Sequence, residues 1–171
     1  MPLLRLFALF GALLLAGCAS NDIPEEIASV FVEAPPYAGG AMKLQVRLPV
    51  SGLTMAVMNR ALVPAEEILG TQPITSGEPD LRQDFLLVQL DRKAAMDVMN
   101  YTKDAEGRRF VLVINDTAVG IMPIDGQIAD GNLIFHVEKK GLSNTEAVMD
   151  ISRRMNVSAL KLRKLKEAES K

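Results

Sequence analysis

One histidine, one cysteine and a scatter of carboxylates are the chemically versatile side chains of this 171-residue chain. His136 stands between Phe135 and Val137, so a strand would carry it. A single imidazole argues against His-based zinc chemistry and against a hydrolytic triad. A single thiol excludes an internal disulfide and a Cys-rich metal site. Asp116, Asp125, Asp130 and Asn132 supply the oxygen ligands that calcium takes. Their spacing is not that of an EF-hand loop, and each stands where a turn favours Asx. Ser158-Ala159-Leu160-Lys161 has the Ser-x-x-Lys spacing of a serine nucleophile with a lysine base. It lacks the companion motifs of such enzymes and lies in a basic stretch. No phosphate loop and no dinucleotide fingerprint occurs. The reading is therefore no catalytic residue, no cofactor and no metal site.

Cys18 is the exception. Residues 1–17 hold Arg5 and then an apolar run from Leu6 to Leu15 broken at Gly11. That run is shorter than the roughly 20 residues needed to span a bilayer and matches the apolar region of a secretory signal. It ends in Leu15-Ala16-Gly17-Cys18, which resembles a bacterial lipobox. Small residues fit the narrow site of the lipoprotein signal peptidase. The thiol takes a diacylglyceryl thioether, and cleavage makes the Cys18 amine the new N-terminus. The expectation is a signal peptide over 1–17 and lipid attachment at Cys18. Ala19, rather than Asp, comes after the cysteine, which favours the outer membrane over the inner one in enterobacteria-like sorting.

Composition bounds the rest. The chain is 49% hydrophobic and 5% aromatic, with a net charge of −2, which disfavours a nucleic-acid binder. Much of the apolar excess lies in the signal. The remaining residues suit one domain of ordinary size. Residues 153–171 carry seven basic and two acidic side chains, so a basic tail succeeds an acidic body. Eight methionines come after the signal, and seven of them (Met55, Met58, Met96, Met99, Met122, Met149 and Met155) fit core filling in a protein without Trp, with a pliable apolar groove as the other use.

Spacing gives the elements that position these groups. Residues 18–41, with Pro24, Pro35-Pro36 and Gly39-Gly40, read as the lipidated Cys and a flexible tether. Within it, the apolar island Ile27 to Val32 has the makings of an edge strand. Residues 42–84 form an N-terminal portion: strand periods at Leu44, Val46 and Leu48 and again from Leu53 to Val57, about a reversal at Ser51-Gly52. Pro64 to Leu69 predicts a short helix stopped by Gly70, and 71–82 a loop. Residues 85–156 are more sharply patterned: a strand from Phe85 to Leu90, a helix capped by Asp91, and strands at Phe110–Ile114, Ala118–Met122 and Leu133–Val137. Ser143 and Glu146 fit a capping box for a helix to about Met155. Residues 157–171 read as a basic C-terminal helix or tail. The fold class is α+β: a mixed or antiparallel sheet with helices packed on one face.

The stretch 85–155 resembles the head of the large periplasmic domain of SecD, the accessory subunit of the protein-export translocase. The matching positions are Leu90-Asp91, Ala94-Ala95, Thr102, Gly107-Arg108-Arg109, Val111 to Ile114, Asn115-Asp116, Pro123, Ile128, Gly131 and Ile134, with Val63-Pro64 to Ile68 before them. The resemblance implies a SecD-head-like fold and a habit of touching extended or unfolded polypeptide. The transmembrane carboxylates that couple SecD to proton flow have no counterpart here, because no segment after Cys18 reaches spanning length. Gly107, Arg108 and Arg109 read as structural. The expectation is a non-enzymatic, lipid-anchored, periplasm-facing module that binds protein or peptide in envelope biogenesis or export. The alternatives are a structural subunit of a membrane complex and a cell-wall-acting enzyme.

Overall fold

The computed structural model describes residues 26–78 and 80–169. The predicted signal peptide and Cys18 lie outside the described residues. Among the described residues there are eight strands: β1 (Ala28–Val32), β2 (Lys43–Arg47), β3 (Thr54–Met58), β4 (Ile68–Ser76), β5 (Gln83–Leu90), β6 (Arg109–Ile114), β7 (Thr117–Pro123) and β8 (Asn132–Val137). The α-helices among the described residues are α1 (Arg92–Thr102) and α2 (Asn144–Glu169). Six strands form one antiparallel sheet in the order β1-β6-β7-β8-β5-β4, and β2-β3 form a separate hairpin. The architecture is α+β, and the sheet is antiparallel throughout.

The two sheet faces are covered differently. Phe110 and Leu112 of β6, Leu133 and Phe135 of β8, and Leu86 and Val88 of β5 are all fully buried on one face. They pack with Ala94 and Val98 of α1 and with Val148, Ile151 and Met155 of α2. Each such large apolar side chain contributes about 1.5–3 kcal/mol on burial. On the opposite face, Leu48, Met55 and Val57 of the hairpin region cover Val111, Val113 and Ala118. Strand β6 is thus buried on both faces, which accounts for its unbroken apolar sequence.

Local signals explain the helix starts. The Asp91 side chain accepts from the Ala94 N–H at 2.8 Å. Ser143 N–H and Oγ both donate to the Glu146 carboxylate, closing the capping box. Gly131 has φ +70°, and a Cβ there would stand 2.9 Å from the Ala95 Cβ. The Ala95 and Gly131 pattern is therefore a close approach of α1 to the turn before β8.

Four sequence expectations change. Pro64 to Leu69 is not a helix: Ala65–Glu67 make one 3-10 turn, and strand β4 begins at Ile68. The expected loop over 71–82 is largely β4, paired to β5 as far as Ser76. Its Gln, Pro and Ser residues lack an alternating apolar period because this is an edge strand. The Asn156 amide of α2 takes the place of a neighbouring strand: Oδ1 accepts from Thr71 N–H at 2.8 Å, and Nδ2 donates to Thr71 C=O at 2.9 Å. Pro73 lies two residues on, at the next outward-facing position, where no donor to the ladder is required. Gly70 leaves room, since a Cβ there would meet Asn156 Oδ1 at 3.3 Å. Helix α2 runs past Met155 to Glu169. The apolar island before residue 33 is the edge strand β1, so the chain is already part of the sheet well before residue 41.

Candidate peptide-binding edge and groove

The hairpin β2–β3 owes its shape to alternation and to one turn. Leu44, Val46 and Leu48 share a face with Met55 and Val57, and Gly52 turns the chain at φ +70°. The turn is fastened from across the molecule. Val50 and Ser51 N–H groups donate to Glu138 Oε1 at 2.7 and 3.0 Å, and Ser51 Oγ donates to the same oxygen at 3.2 Å. Glu138 comes directly after β8, so the hairpin tip is held at that end of the sheet. The outer side of β3 is occupied: Ala56 C=O accepts from Ala34 N–H at 2.9 Å, and Glu33 bridges to Val57. Arg109 holds that segment by donating to both Glu33 oxygens, at 2.9 and 2.7 Å. The same guanidinium keeps the Glu33 carboxyl below its ordinary range, and Arg109 itself is raised.

Strand β2 is different. Leu48 N–H donates to Leu53 C=O and Met42 C=O accepts from Asn59 N–H, so the even-numbered residues point their main-chain groups at β3. Gln45 and Arg47 therefore point theirs outward, and among the described residues these groups have no strand partner. The apolar side of the hairpin packs over β1, β6 and β7. Among the described residues, the neighbouring half of the same sheet face, on β8, β5 and β4, has no layer over it. There Leu87 is paired with Ile134 and Gln72, and Ile74 with Phe85. Ile134 is 42% exposed, while Leu87, Phe85 and Ile74 are partly exposed. Beside them the β7–β8 ladder ends after Gly120↔Val137 and Ile121↔His136. Pro123 has no N–H to continue it, and Ile134 N–H donates instead to Met122 Sδ at 3.1 Å. The result is an unpaired strand edge beside an uncovered, partly apolar floor. An extended peptide takes such an edge by main-chain hydrogen bonds and lays alternate side chains on the floor.

The remaining candidates from the sequence take other places. His136 is exposed on this floor, its ring edge-on to Phe85 at 6.2 Å. Among the described residues no group of three His, Cys, Asp or Glu side chains could hold a metal. Asp130 accepts from Asn132 N–H and Nδ2 in a turn, and Asn115 and Asp116 form the β6–β7 turn at positive φ. Ser158 is buried, and its Oγ accepts from Glu26 N–H at 3.0 Å, which is a structural use. The methionines do not converge. Met55 and Met155 fill the two cores, while Met96 and Met149 are exposed on separate helices. Arg108 donates to Tyr101 Oη at 3.2 Å and Arg109 to Glu33, so both are structural here. The sequence reading missed Gln45, Arg47 and Glu138. The hairpin was visible in it, but the free side of a strand depends on partners remote in sequence.

No family model matches this chain, and no curated protein matches it. Among solved structures, the crystal structure of SecDF in a super-membrane-facing form is similar, with a TM-score of 0.50 and 12% identity. The match covers 79% of this chain and 18% of that one. A second structure, of a membrane component SecDF that enhances protein export, gives a TM-score of 0.45 at 12% identity, covering 79% of this chain and 62% of that one. This chain thus spans less than two thirds of either. At this identity the likeness is one of fold, and the described residues form a SecD-like α+β domain.

Proposed function

We propose that this chain is a non-enzymatic, membrane-anchored lipoprotein facing the periplasm, which binds extended polypeptide in envelope biogenesis or export. The observation that carries the binding reading is the unpaired main chain of Gln45 and Arg47 beside the uncovered face of β8 and β5. The SecD-like fold supports it, because the similar structure is that of SecDF in a super-membrane-facing form. The lipobox-like Leu15 to Cys18 supports the anchor. Lys43, Arg47 and the amide of Gln45 along β2 favour a peptide with acidic side chains.

Amide hydrogen exchange tests this. A peptide of alternating valine and threonine with acidic flanks is added to the protein, and Gln45 and Arg47 N–H are followed. Protection of both, with Leu44 and Val46 unchanged, is the expected result. The Gln45→Pro variant removes one outward donor without touching a β2–β3 bond, and binding should fall. Exchange unchanged at both amides under saturating peptide would remove the proposal.

A further inference from the structure

We infer that the exposed face of α2 lies against an anionic lipid surface, so that the domain stands on its helix and the β2 edge faces away from the membrane. The inference rests on the reading of Cys18 as the anchor. The first argument is reach. Glu26 is fastened to α2: its N–H donates to Ser158 Oγ at 3.0 Å, and its carboxylate takes Arg154 Nε at 2.6 Å. Eight residue steps separate Cys18 from Glu26, and at full extension they span about 26–29 Å. A domain of this size is about 35–40 Å across, while a helix with its side chains is about 10–12 Å thick. An anchor at Cys18 therefore reaches round α2 to its outer face, and the hairpin packs on the opposite face of the sheet.

The second argument is the chemistry of that outer face. The core-facing side of α2 carries Ala147, Ile151, Met155, Ser158 and Ala159. The opposite side carries Met149, Arg153, Val157, Leu160 and Lys164 at helical spacing. Met149, Val157 and Leu160 are 57%, 47% and 53% exposed, an apolar stripe turned away from the core. Arg153 and Lys164 are exposed along it and Arg163 on its flank. An apolar stripe with basic flanks is the pattern of a helix lying in a membrane interface. Each such cation near an anionic surface strengthens attachment about fivefold.

The test uses the acylated chain purified from membranes and placed in vesicles. With Cys18 blocked by its thioether, an environment-sensitive fluorophore is attached at Leu160→Cys or, separately, at Leu44→Cys on the hairpin. In vesicles containing phosphatidylglycerol, emission at position 160 should shift to the blue and that at 44 should not. In phosphatidylcholine alone, or in about 1 M salt where the screening length falls to about 3 Å, the shift should shrink. The triple variant Arg153→Glu, Arg163→Glu, Lys164→Glu changes only exposed side chains and should lose the shift. No shift at position 160, or an equal shift at both positions, overturns the inference. The mass of the N-terminal peptide reports acylation separately. An unmodified Cys18 overturns the anchor reading and the orientation with it, whereas an acylated Cys18 with no shift at position 160 overturns the orientation alone.

Discussion

Replacing Asn156 by alanine removes the side chain that stands in for a missing strand beside β4. Two bonds to the Thr71 main chain, at 2.8 and 2.9 Å, disappear. Each contributes about 0.5–1.5 kcal/mol net, and a buried group left unpaired costs about 1–3 kcal/mol. Thr71 is buried at 5% exposure, so water replaces those bonds incompletely. Alanine has the better helix propensity, which returns about 0.5 kcal/mol. The expected loss is about 1.5–2.5 kcal/mol, or roughly 3–10 °C in Tm for a domain of this length. Chemical denaturation with parallel exchange at the Thr71 amide is the assay. Asn156→Asp keeps the acceptor for Thr71 N–H but loses the donor, and should fall between wild type and alanine. Asn100→Ala, on the exposed side of α1, serves as the control and should stay within about 0.5 kcal/mol. A loss below about 0.5 kcal/mol for Asn156→Ala would refute the strand-substitute reasoning.

The same contacts predict further outcomes. Glu33 is held below its ordinary value of 4.5 by Arg109, so its contribution is complete above pH 4.5 and is lost as pH falls through the lower folded value; Glu33→Gln should flatten the stability-against-pH curve in that acid window. Asp91→Ala should cost about 1 kcal/mol by denaturation, the usual loss for an N-cap. Glu138→Gln should loosen the hairpin tip by about 1–2 kcal/mol, read as faster exchange at Val50 and Ser51 with the α2 amides unchanged. Cys18→Ser should abolish acyl labelling in cells and leave the precursor uncleaved; unchanged labelling would end the anchor reading.

Strong local periods were readable in advance. The hairpin reversal at Ser51-Gly52, the Asp91 cap and the Ser143–Glu146 box are each decided within a few residues, and each is present in the fold. Strand β4 was not readable. Its alternation is interrupted at Gly70 and Pro73, and both make sense only beside Asn156, 85 residues away from Thr71. The 3-10 turn at Ala65–Glu67 shows the same effect, because pairing with β5 from Ile68 onward overrides a local helix signal. The candidate groove was hidden for a related reason. Gln45 and Arg47 are ordinary polar strand residues, and only the placement of β2 at a free edge makes their main chain available. His136 shows the reverse case: a conspicuous residue by type, it lies on the groove floor against Phe85.

Photocrosslinking in living cells tests the central claim most directly. A photoreactive residue is placed at Gln45 on the β2 edge, at Leu87 on the floor, or at Met96 on the exposed side of α1, on the far face of the sheet. Discrete polypeptide adducts from positions 45 and 87, with none from 96, are the predicted result. Adducts from 96 equal to those from 45 and 87, or none from any position in cells where the protein is abundant, would contradict the account.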